Sequence, residues 1–154
     1  MQNQNLKLKT ILFFGLFILA IAIFFLKESP RKKSMVTIGK TSFFVEIVTT
    51  PEEKVRGLAR HKPLLDNEGM FFVFEKGMAR AFWMKGMTFP IDIIWIKDNK
   101  VSYVVEDAPI SSFGQSDYQL PIYTPPKPAD YVLEIKAGLT KKNNIKLGDR
   151  VTIF

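Results

Sequence analysis

A chain of 154 residues without cysteine has room for one domain with a modest core, and excludes disulfides, thiolate catalysis and Cys-ligated zinc. Its formal charge of +7 is local: six of the 22 basic residues (Lys7, Lys9, Lys27, Arg31, Lys32 and Lys33) precede Ser34, against a single acid, Glu28. Beyond that point 16 basic residues face 14 acidic ones and no basic helix carries stacking aromatics, so no nucleic-acid partner is expected.

After an amino-terminal tail (residues 1–9), Thr10 to Leu26 reads "TILFFGLFILAIAIFFL", without a charge. As a helix it would rise about 25 Å, enough to cross a hydrocarbon layer, and its basic flanks suit lipid headgroups. A cleaved signal peptide is the competing reading, because Ala20-Ile21-Ala22 fits a small-residue cleavage site. That site is followed at once by Ile23-Phe24-Phe25-Leu26, where a polar edge belongs, so a retained anchor over 10–26 is expected, with a linker at 27–34 and a domain at 35–154. The four basic residues after the anchor outweigh the two before it and favour a cytoplasmic domain, yet long domains translocate largely regardless of charge.

"MVTIGKTSFFVEIVTT" predicts a hairpin turning at Gly39-Lys40, in which Phe43, Val45 and Ile47 share one face. Thr50-Pro51-Glu52-Glu53 starts a helix, with Thr50 as cap, Pro51 in the first turn and Glu53 closing a capping box. The helix is expected to reach about Arg60, with Val55, Leu58 and Ala59 as its apolar stripe and Arg56 and Arg60 on similar sides. Gly57 inside it implies close backbone approach to a sheet. Strands are then predicted at Gly69–Phe74 and Ala79–Met84 around a Gly77 turn, and over Ile91–Glu106 as a hairpin at Asp98-Asn99. A Pro-rich loop (107–128) precedes the strand "ADYVLEIKAG" and a last strand at Arg150–Phe154.

"VEIVTTPEEKVRGLARHKPLLDNEGMFFVF" followed by "FWMKGMTFPIDIIWI" resembles the DUF192 family of bacterial and archaeal proteins. The matching positions are Glu46, Gly57, Leu58, Arg60, Gly69, Met70, Phe72, Phe74, Trp83, Met84, Lys85, Pro90 and Asp92, then Tyr131, Glu134, Ala137, Gly138, Gly148 and Asp149. The family's usual asparagine after the lysine is Gly86 here, and the threonine after it is Met87. The resemblance implies a compact, mainly β domain with one short helix behind an amino-terminal signal or anchor, and tilts the expected orientation outward. It carries no established activity. The expected architecture is an antiparallel β-sandwich or barrel-like domain with one short α-helix, behind a single-pass transmembrane helix.

The polar candidates are Glu46, Arg56, Arg60, Lys85, Asp92 and Glu134. Asp92 shares a strand face with Ile94 and Ile96 and should lie at the core edge, where an unpartnered charge is costly. One reading is structural: Asp92 accepts backbone hydrogen bonds or pairs with an arginine, and Lys85 stretches to water. The other is a polar cluster lining a pocket beside Trp83. The sole histidine, His61, follows the helix as expected surface, and no G-x-S-x-G, H-E-x-x-H or phosphate-loop pattern occurs. Met70, Met78, Met84 and Met87 lack the dense spacing of a copper tract, so neither metal nor cofactor is expected. The expected function is a non-catalytic binding module for an envelope glycan or a membrane-associated protein, with Glu46, Arg56, Arg60, Trp83, Lys85 and Asp92 as binding residues. Among the aromatics, Trp83, Trp95, Tyr118 and Tyr123 are the contacts to test. The alternative is a small hydrolase-like enzyme using Glu46, Lys85 and Asp92.

Overall fold

Apolar alternation sets the first hairpin. β1 (Lys33–Ile38) and β2 (Thr41–Val48) join through Gly39-Lys40, and Phe43 and Val45 are buried while Phe44 between them is exposed. The structure is a computed structural model that describes residues 13, 15, 32–78, 81–111 and 114–154. The expected anchor, Thr10–Leu26, lies outside those residues apart from Phe13 and Gly15, which are helical. Among the described residues no helix is long and apolar enough to cross a membrane.

β2 leads into α1 (Pro51–Arg56), where Thr50 Oγ1 accepts from the Glu53 amide at 3.3 Å and Glu53 Oε2 accepts from the Thr50 amide at 3.1 Å. The helix stops at Arg56 and does not reach Arg60, because Gly57 adopts φ +49°, ψ −136°, which an L side chain resists. Arg60 therefore sits off the helix at φ +67°, and Val55 is exposed, not part of an apolar stripe. Nor does close approach explain Gly57, since an added Cβ would lie 3.6 Å from Phe72, an ordinary contact. The close approach is at Gly69, where a Cβ would come within 2.8 Å of the Glu134 carbonyl oxygen.

α1 is a crossover, and it makes β2 parallel to β3 (Glu68–Val73). The remaining long strands are β5 (Ile91–Lys97), β6 (Lys100–Ala108) and β8 (Tyr131–Lys136), followed by the single helical turn α2 (Leu139–Lys142) and β9 (Val151–Ile153). Asp98 and Asn99, at φ +50° and +56°, turn the β5–β6 hairpin as a two-residue loop of that kind requires. The seven strands form one sheet in the order β6-β5-β8-β3-β2-β1-β9. Its ends meet: the Val101 amide donates to Asp149 at 2.9 Å and the Gly148 amide to Val101 at 2.8 Å. The domain is mainly β, as expected, and of the two expected architectures it is nearer the barrel-like one: a single sheet curls into a half-barrel, but it is mixed, not antiparallel, because β2 and β3 are parallel.

Both faces of the central strands β3, β5 and β8 are buried. Inside the curl, Val36, Ile38 and Phe43 from one end pack with Ile94, Ile96 and Leu133 from the other. The outer face carries Met70, Phe72, Ile93, Trp95 and Val132 beneath Leu58, Met84 and Met87. Each such side chain contributes about 1.5–3 kcal/mol on full burial. Of the strand expected at Ala79–Met84, the described residues show only β4 (Phe82–Trp83), which does not pair with β3. Its partner is β7 (Ile122–Tyr123), supplied by the Pro-rich loop, so the loop holds Trp83 in place. Phe82 turns inward, edge-on to Phe72 at 5.0 Å and to Trp95 at 5.8 Å between ring centres.

Candidate functional site

One row across the outer face orders the site. Register places Glu46 of β2 beside Met70 of β3, Met70 beside Glu134 of β8, and Glu134 beside Ile93 of β5. Glu134 thus rises from mid-sheet between two apolar neighbours, under α1 and β4. Its Oε2 is buried and accepts no hydrogen bond. Desolvation by burial raises its pKa from 4.5 to about 8, so the carboxyl is predominantly protonated at neutral pH. An unsatisfied buried polar atom costs about 1–3 kcal/mol, which makes this residue a poor choice for stability alone.

Above Glu134 lies a cavity of about 30 Å³, lined also by Lys54 and Arg56 of α1, Phe72, Trp83, Lys85 and Met87. Trp83 stands at this lining 43% exposed, with the Lys85 ammonium 5.2 Å from its ring centre. Lys85 also pairs with Asp117 in the short 3-10 turn Asp117–Gln119, another tie from the Pro-rich loop. Lys54 lies over the Phe74 ring at 4.6 Å. Three of the six expected binding residues, Arg56, Trp83 and Lys85, therefore converge on one cavity. Glu134 joins them: the sequence identifies it as polar in a strand, but only register shows where it points.

The other three do not join them. Glu46 lines a separate cavity of about 220 Å³ with His61, whose Nε2 is 3.9 Å from Glu46 Oε2; Leu58 lines both cavities and separates them. His61 is thus half-buried against β2 and not the open surface residue expected. Arg60 lines neither cavity. Asp92 faces the inside of the curl, fully buried, where Oδ1 accepts from the Asp107 and Gly138 amides at 2.9 and 3.0 Å and Oδ2 from the Thr140 amide at 2.8 Å. It clamps the end of β6 and the first turn of α2 to β5. The structural reading of Asp92 holds, and Lys85 reaches solvent.

The aromatic expectations divide as well. Trp95 is fully buried core, Tyr118 is fully exposed, and Tyr123 is half-buried with its hydroxyl pKa raised by desolvation. Met70, Met84 and Met87 are core residues and Met78 is half exposed. Among the described residues no group of three or more His, Asp or Glu side chains is placed to hold a metal ion.

Compared with known families, residues 34–153 match DUF192, described as an uncharacterized ACR family. The chain belongs to DUF192. No match is found among curated proteins. A solved structure of a candidate transcription regulator from Sinorhizobium meliloti is similar at 26% identity and a TM-score of 0.71, covering 82% of this chain and 97% of that one. A protein of unknown function from Novosphingobium aromaticivorans is similar at 29% identity and a TM-score of 0.69, covering 82% and 89%. The geometry also accounts for the chain's departure from the DUF192 pattern. Gly86 has φ +70°, and asparagine is the other residue that readily adopts such a backbone. The exchange therefore keeps the turn that presents Lys85, whatever the asparagine amide does elsewhere in DUF192.

Proposed function

We propose that this DUF192 chain is a non-catalytic binding module, held at a membrane by Thr10–Leu26 with residues 35–154 outside the cytoplasm, that binds an envelope glycan at the Trp83–Glu134 cavity. The observation that carries this reading is a buried carboxyl whose Oε2 accepts no hydrogen bond, at the floor of a cavity whose wall includes a part-exposed tryptophan and three basic side chains. Such an arrangement offers shape, an aromatic surface and a few placed polar groups, which is what recognition requires.

The hydrolase reading loses its cluster. Both oxygens of Asp92 are engaged by backbone amides, and Glu46 and Lys85 line different cavities. A second binding reading, a membrane-associated protein, is favoured by one feature: Trp83 and its cross-strand partner Ile122 are both exposed, beside the exposed Tyr118. The near balance of charge after Ser34 does not favour nucleic acid, despite the description of one solved relative.

Titration of the purified full chain with envelope glycan fragments tests the reading. Saturable binding without turnover is expected, weakened by Trp83→Ala and Lys85→Ala. Turnover of an envelope-derived substrate would overturn it, and saturation only by a membrane protein would favour the second reading. For topology, the domain in intact cells should be open to added protease; full protection contradicts the outward placement.

A further inference from the structure

We propose that the cavity beneath Trp83 takes the carboxylate of an acidic sugar, with Lys54, Arg56 and Lys85 at its wall and the Glu134 carboxyl at its floor. This rests on the glycan-binding reading above and names the ligand class.

Size gives the first constraint. A cavity of about 30 Å³ is small enough to favour a compact group such as a carboxylate over a whole sugar ring. The ring must then stay outside, where Trp83 offers its exposed surface. Charge gives the second. The ionisable groups lining the cavity are Lys54 and Arg56 from α1, Lys85 from the turn after β4, and Glu134 itself; Asp117 offsets Lys85 from the far side. The neighbours of Glu134 on β3 and β5, Met70 and Ile93, are apolar, as is Phe72 across the cavity. With Lys85 offset by Asp117, Lys54 and Arg56 still leave the wall net positive, which opposes a cationic ligand and draws in an anion. Arg56 is also the side chain whose planar donors suit a carboxylate.

Chemistry gives the third. A protonated Glu134 supplies an O–H donor, and an acid-to-carboxylate hydrogen bond is among the short, charge-assisted kind. This bond would satisfy the buried oxygen that has no partner within the fold. Ionised Glu134 would instead repel the ligand, so affinity must fall as pH rises past its titration near 8.

The probe is methyl glucuronide, with methyl glucoside as the neutral control, titrated calorimetrically into the full chain in detergent micelles at pH 6.5 and pH 9. The glucuronide should bind about tenfold or more tightly than the glucoside at pH 6.5, and lose about tenfold in affinity at pH 9. Glu134→Gln, which keeps a neutral donor, should retain binding at both pH values; Glu134→Ala, with an unchanged circular dichroism spectrum, should lose it. Equal binding of the two sugars would overturn carboxylate recognition while leaving glycan binding intact. Failure of both sugars would overturn the inference too, and the separate titration with envelope fragments then decides whether the binding module survives.

Discussion

Asp92 and Glu134 are both acidic, both buried, and carried on neighbouring strands of one sheet, yet they have opposite surroundings. Asp92 projects inside the curl and receives three backbone amides, which replace the hydrogen bonds that water would make to its oxygens. Glu134 projects from the outer face among apolar side chains, and its Oε2 receives no hydrogen bond. The first arrangement fixes a junction between strand, turn and helix. The second holds a proton and an unfilled hydrogen-bonding site beside a cavity. A buried carboxylate is therefore not by itself a sign of function; what distinguishes the two is whether the fold satisfies it.

The largest effect should follow Asp92→Ala, which strands three amides and costs about 3–5 kcal/mol in chemical denaturation. Asp92→Asn keeps one acceptor and should lose less. If Asp92→Ala melted with the wild type, the clamp would be dispensable and the contrast with Glu134 would collapse.

Glu134 should show itself through pH. Between 4.5 and about 8 the folded state holds a proton that the unfolded chain has released, so this group's contribution to stability falls as pH rises through that window and is level above it. Glu134→Gln should remove that slope, so that the variant gains on the wild type between pH 5 and pH 8 by up to a few kcal/mol. An unchanged slope in the variant would assign the pH dependence elsewhere. Lys85→Ala should be the mildest, within about 1 kcal/mol, because its pair with Asp117 is solvent-exposed. A loss as large as that of Asp92→Ala would make Lys85 structural.

Much of this was legible in local patterns. The capping box at Thr50–Glu53, both two-residue hairpin turns and the burial of Asp92 follow from short-range sequence signals, because each is decided within a few residues. Non-local pairing was not legible. Trp83 is held by Ile122, 39 residues away, and the parallel β2–β3 pair depends on where a short helix ends. That end is hidden in the sequence because Gly57 reads as helix interior, and only its positive φ stops the helix. Trp95 and Trp83 look alike in sequence, but one strand lies mid-sheet and the other at a surface ribbon. The split between Glu46 and Arg56 was likewise hidden, since Leu58 separates their cavities only once the chain after α1 has folded over the sheet.

The most direct test of the contrast is a carbon-13 NMR titration of the Glu134 side-chain carboxyl in the folded chain. The account predicts that Glu134 titrates near pH 8, far above the ordinary 4.5 of a glutamate. A Glu134 midpoint at 4.5 would mean that the carboxyl is solvated or paired at neutral pH, and would contradict the protonated, unfilled site on which the functional reading stands.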